Sequence, residues 1–216
     1  NVSSPLNLTT GNLNFRGNLN LNAPVTLNAN NVNLKGKNAA ILNGNAINYL
    51  ATNGAGTVNV ENLNPTRGQV NLPIGTATNF NPITIENTGI SDTFSVNVQE
   101  GISNTTGGAV NATWNISEAI AGDSNVNVSF TWNQTQENGL FNRNTAAVGH
   151  YYSTTWNSES SSIVTGTNPY TISATNISSF SPFGVLNQSA LGNTSFTTVE
   201  ISIYPNPSNG NFTIQV

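Results

Sequence analysis

The chain has 216 residues, of which 6% are charged and 36% hydrophobic, with a net charge of −4 and neither cysteine nor methionine. Its five cations, Arg16, Lys35, Lys37, Arg67 and Arg143, make no basic patch, which argues against nucleic acid as a partner. The lack of cysteine excludes a disulfide framework and thiolate metal sites, and no apolar run approaches the roughly 20 residues of a membrane span. Asparagine supplies roughly a fifth of the chain, several times ordinary usage. Because Val, Ile, Leu and Phe recur in short regular runs, the low charge points to a packed all-β protein rather than to disorder. No signal-peptide pattern opens the chain, so Asn1 reads as a mature or truncated end.

Residues 1–65 form an Asn-rich short-strand repeat. Leu13/Phe15, Leu19/Leu21, Val25/Leu27 and Val32/Leu34 are apolar pairs at period two, so each pair faces one side of a short strand. The pairs return every six or seven residues, with Gly17, Ala23-Pro24, Asn30-Asn31 and Gly36 as turns. This spacing suits β-solenoid coils with Asn ladders, and it equally suits a few β-hairpins or a meander. One or two coils cannot stand alone, so the segment needs a cover: the next domain, another subunit or further coils.

Residues 66–190 carry the three tryptophans and six strand-like runs between Gly- and Asn-rich turns, the pattern of an antiparallel β-sandwich. Alternation places Phe94, Val96 and Val98 on one face, Val110, Ala112, Trp114 and Ile116 on another, and Val126, Val128, Phe130 and Trp132 on a third, all as core.

Catalytic constellations are thin in this segment. The single histidine, His150, lacks a Gly-x-Ser-x-Gly turn, and nothing singles out a carboxylate pair such as Glu118 with Glu137. Asp123 fits a turn that caps its own backbone. We therefore expect no enzyme, no cofactor and no metal. The aromatics Trp132, Tyr151, Tyr152 and Trp156 could stack on sugar rings, or be core.

Residues 191–216 are a linker and a strand, and they end in Tyr204-Pro205-Asn206-Pro207-Ser208-Asn209-Gly210-Asn211-Phe212. The motif, with Tyr204, Pro205, Asn206, Pro207 and Gly210, resembles the opening of the C-terminal sorting domain by which Bacteroidota export proteins through the type IX secretion system. Upstream, Pro73-Ile74-Gly75-Thr76, Phe80-Asn81-Pro82-Ile83, Trp114-Asn115-Ile116, Trp156 and Phe180-Ser181-Pro182-Phe183 resemble the module that often precedes that domain. The resemblance implies a β-sandwich and an extracellular or cell-surface address, and it implies no reaction. Asp92-Thr93 resembles the short O-glycosylation site of the same phylum, with Phe94 in place of the usual aliphatic residue.

These features lead to an expected function. The chain reads as an extracellular structural protein, a self-assembling subunit of a surface filament whose partners are copies of itself. A terminal strand of one subunit would complete the sheet of the next. The candidate inter-subunit strands carry Leu13, Phe15, Leu19 and Leu21 at one end and Phe212, Ile214 and Val216 at the other. The alternative is a surface adhesin or carbohydrate-binding module, with a surface polysaccharide as partner, at the end of a longer stalk.

Overall fold

The computed structural model describes residues 1–52 and 54–191, together with the backbone of two short strands at 202–204 and 213–215. Its first part is a parallel solenoid. The first coil comprises β1 (Leu6–Asn7), β2 (Leu13–Phe15) and β3 (Leu19–Asn20), and the second β4 (Val25–Thr26), β5 (Val32–Leu34) and β6 (Ile41–Leu42). The third has β7 (Leu50–Ala51), β8 (Val58–Leu63) and β9 (Val70–Leu72), and β10 (Ile74–Gly75) starts another turn. Strands stack on the corresponding strand one coil away, in register, so that Leu6, Val25, Leu50 and Ile74 form one column. Leu13, Val32 and Val58 form a second column, and Leu19 and Ile41 a third. The six-to-seven-residue spacing is therefore the step from one face of a coil to the next. The hairpin alternative does not form, because successive apolar pairs lie on different faces and meet only their counterparts one coil away. Asn28 and Asn43 make corners with φ of 53° and 63°, the left-handed region that asparagine tolerates better than most residues.

The remainder is built from β11 (Ile83–Asn87), β12 (Asp92–Glu100), β13 (Ala112–Glu118), β14 (Val126–Trp132), β15 (Ala146–Tyr152), β16 (Thr155–Ser158), β17 (Thr165–Gly166), β18 (Tyr170–Ile177) and β19 (Pro182–Asn187). β20 (Ser202–Tyr204) and β21 (Thr213–Gln215) pair with each other as a separate two-stranded ribbon. One eight-stranded sheet runs β16-β15-β19-β13-β12-β8-β5-β2, and a five-stranded antiparallel sheet runs β17-β18-β14-β11-β9. The larger sheet is mixed: β8 pairs in parallel with β5 on one side and antiparallel with β12 on the other.

The main hydrophobic core extends from Val2 to Val185, and a second, smaller cluster gathers Ala109, Ala147, Trp156, Leu186 and Leu191. The core faces assigned from alternation are all buried, from Phe94 through Trp132. Side chains of the two sheets meet at Trp114 and Phe130, whose ring centroids are 5.2 Å apart, and at Phe130 and Phe183, 5.8 Å apart. Buried polar groups fasten the junction. The Thr52 hydroxyl, just after β7, donates to the carbonyl of Val98 and accepts from its amide, both at 2.9 Å. Asn81 and Gln136 exchange side-chain amide hydrogen bonds at 2.9 and 3.2 Å, and the Trp114 indole N–H donates to the Asn81 carbonyl. Each of these polar groups is thereby matched, as burial requires.

Trp114 fills the point where the two sheets meet. Its replacement by alanine is expected to lower the unfolding free energy by about 3–5 kcal/mol, measured from the shift of the urea midpoint followed by circular dichroism.

Candidate functional site

The outer edge of the first coil is one of the open sheet edges of this surface. β1 ends its four-stranded sheet and β2 ends the eight-stranded one, so among the described residues each has a partner on one side only. A strand with an unpaired row of N–H and C=O groups is a template for a further strand. On the third face, Val2 covers part of β3 by a parallel bridge to Leu21, with Val2 N–H donating to Asn20 O and Asn22 N–H donating to Val2 O, both at 2.9 Å. The open end also leaves apolar surface uncovered. Leu6 is 37% exposed, and Leu8, Leu13 and Phe15 are only half-buried against the core.

Asparagine ladders run along the coils and reach this edge. Asn59 Nδ2 donates to Asn33 Oδ1 and Asn33 Nδ2 donates to Asn14 Oδ1, each at 2.7 Å. Thr57 N–H donates to Asn31 Oδ1 at 3.0 Å, and Asn31 N–H donates to Asn12 Oδ1 at 2.8 Å. Asn28 donates to Asn7 and Asn43 to Asn22 in the same manner. Every ladder has one polarity: the side-chain oxygen of the earlier coil accepts from the later coil. Where the donor is a backbone N–H, as at Asn31 and Thr57, the direction is fixed by the backbone and not by the orientation of an amide. The first coil therefore has its side-chain oxygens engaged inwards, and Asn12 N–H occupies the position from which Asn31 and Thr57 donate.

The residues singled out in the sequence fall in several places. Leu13 and Phe15 lie on the open strand β2, while Leu19 and Leu21 lie in and just beyond β3, buried beneath the Val2 bridge. Ile214 and Tyr204 lie on the strand backbones of β21 and β20. Pro205, Asn206, Pro207, Gly210, Phe212 and Val216 lie outside the described residues.

The four aromatics considered for sugar stacking do not form one platform. Trp132 is fully buried, its indole N–H donating to Glu137 at 2.8 Å, and Trp156 is 3% exposed and donates to the Ser103 carbonyl. Neither can offer a face to a sugar ring. Tyr152 is 49% exposed, and Tyr151 is half-buried, with its hydroxyl accepting from Asn104 at 2.7 Å.

His150 is buried, stacked on Phe183 at 4.4 Å, with Nδ1 2.9 Å from Glu159 Oε1, and its buried Nε2 has no hydrogen-bond partner among the described residues. Among the described residues no hydroxyl hydrogen-bonds this ring. Glu137 forms a two-pronged pair with Arg143 at 2.8 and 2.6 Å, which raises the Arg143 pKa. No cluster of three His, Cys, Asp or Glu side chains with metal-ligand geometry occurs among the described residues. No helix there is long and apolar enough to cross a membrane. Thr52, Asn81 and Gln136 escaped sequence reasoning because nothing in a local pattern marks a buried polar residue.

Comparison with protein-family models, with curated proteins and with solved structures finds no match for this chain.

Asn31 sits at the centre of its ladder. Asn31→Ala removes the acceptor of both the Thr57 amide and the Thr57 hydroxyl. It is expected to cost about 1–2 kcal/mol and to speed hydrogen exchange at the Thr57 amide. Asn31→Asp, which keeps the acceptor oxygen, is expected to retain most of that protection.

Proposed function

We propose that this chain is an extracellular structural protein, exported by a type IX-like route, that self-assembles head to tail into a surface filament by strand exchange. The observation that carries the reading is the first coil, with β1 and β2 unpaired on their outer sides and all ladders pointing the same way. Two such edges meeting head to head would set amide donors against amide donors. A head-to-tail contact instead lets the ladder continue, and contacts of that type propagate rather than close. The near-absence of charge supports the same reading, because amide surfaces associate without the cost of desolvating ions. In this reading residues 66–190 are an antiparallel β-sandwich that serves as the body of the subunit.

One observation favours a second reading, an adhesin or carbohydrate-binding module at the end of a longer stalk. Along the eight-stranded sheet the coils are open on one side only among the described residues, because β12 closes the other. A stalk ending in this fold would join at the first coil.

Negative-stain imaging with sedimentation, before and after mild denaturant, separates the two. The filament reading expects long, uniform fibres that resist the denaturant; a concentration-independent monomer would overturn it and make glycan binding the next assay. Against an Asn14→Ala control, which removes only the side-chain acceptor of Asn33, Asn14→Pro also removes a backbone N–H from the outer edge of β2, since Leu13 N–H is the one that donates inwards to Asn31 O. If β2 is the contact, this variant is expected to pellet about tenfold less, an effect of roughly 1.4 kcal/mol per contact.

A further inference from the structure

The third face of the solenoid is interrupted. β3 and β6 stack as the other faces do, but β9 leaves the stack and pairs antiparallel with β11, through Ile83 with Leu72 and Ile85 with Val70. β6 and β9 are consequently both edge strands. At one end the gap between them is bridged by Arg67, whose guanidinium donates to the Ala39 carbonyl at 2.8 Å and to the Glu61 carbonyl. Burial lowers the Arg67 pKa from its ordinary value, and the nearby Glu61 charge opposes that shift. At the other end Gly44 packs directly on Pro73, leaving no room for even a Cβ.

Between these two closures the edges of β6 and β9 border a groove of two adjoining cavities, about 360 and 310 Å3, which share Ile41, Leu42 and Asn71. Its walls are apolar where Leu72, Phe80, Pro82 and Ile83 contribute, and Leu42 stands 39% exposed within it. The charged groups lining it are Lys37 and Arg67, with no carboxylate. Both line the smaller cavity only.

The ribbon of β20 and β21 offers the complementary part. Its two strands pair only with each other among the described residues, and a two-stranded ribbon is marginally stable without a further strand or surface. Its second strand lies in an alternating sequence, with Phe212, Ile214 and Val216 at period two, which suits a groove that takes alternate side chains.

We propose that the groove between β6 and β9 receives residues 212–216 of a second copy of this chain. The strand lies along a free edge, beside Leu42 and Phe80. The assignment rests on the filament reading and adds to the open edge of the first coil a second contact between copies.

The absence of cysteine gives a clean test. Leu42→Cys and Ile214→Cys are made as separate variants of the whole chain, mixed in equal amounts, unfolded together in concentrated denaturant, allowed to reassemble, oxidised, and digested for mass spectrometry. Leu42 is exposed, so its replacement is expected to leave circular dichroism unchanged. The proposal expects a disulfide joining residue 42 of one variant to residue 214 of the other, in fibres and absent from either variant alone. Fibres without that mixed disulfide would overturn the groove assignment and leave self-assembly standing. Monomers without it would overturn both. Should a chain carrying both substitutions stay monomeric and close the bond within itself, the strand docks in its own groove and the second copy is wrong. As a second readout, Leu42→Asp is expected to reduce the pelleted fraction at least tenfold in the wild-type sedimentation assay; pelleting at the wild-type level would count against the groove.

Discussion

Everything else in this fold hangs on β8. One edge of that strand accepts a parallel neighbour, β5, and the other an antiparallel one, β12. A parallel solenoid and an antiparallel sheet have different hydrogen-bond spacings, slanted and even in one and perpendicular and paired in the other. A single strand that satisfies both lets the core pass from Leu34 through Val60 to Phe94 without a seam. The mismatch is absorbed locally, by a register shift between Asp92 and Phe94 in β12, and by Asn62 at φ 56° near the end of β8. Without that junction the coils would lack the cover that so short a solenoid requires.

The second constraint is the near-absence of ionic groups. Ion pairs among the described residues are Lys35–Glu61, Arg143–Glu137 and the His150–Glu159 contact. Side-chain amides and hydroxyls do the corresponding work. Amide ladders tie coil to coil, and on the five-stranded sheet Thr84, Ser129 and Ser173 link their hydroxyls across three strands at 3.0 and 2.9 Å. Such contacts are neutral, so salt leaves them largely unscreened.

Much of this was written in the pattern of the chain. Leu13/Phe15 and Val32/Leu34 alternate, and an alternating apolar pair has one simple cause, a strand with one buried face. The buried faces of β12, β13 and β14 were legible for the same reason. Which strand pairs with which was not legible in residues 1–65, because hairpins and coils bury the same residues; the corners at Asn28 and Asn43 and the stacking one coil away decide it. The open edge was half visible, since Leu13 and Phe15 stood out as strand residues but their unpaired side depends on the coil order. Trp132 and Trp156 were ambiguous because an aromatic in an alternating strand looks alike whether its face meets core or solvent. The groove beside Leu42 was hidden altogether, since it exists only because β9 departs from the stack.

The one-way stacking of the coils also has a mechanical meaning. Among the described residues β1 and β2 pair only with the second coil, so a pull on the first residues loads the hydrogen bonds of β1 and the Val2 bridge before those of any other strand. The coils would peel in sequence, each at modest force, until the tension reached β8. There the load passes into the long β8–β12 and β12–β13 ladders, whose bonds must be sheared or opened many at a time. Such a molecule is compliant at one end and stiff at the other, and gives way by whole coils rather than all at once.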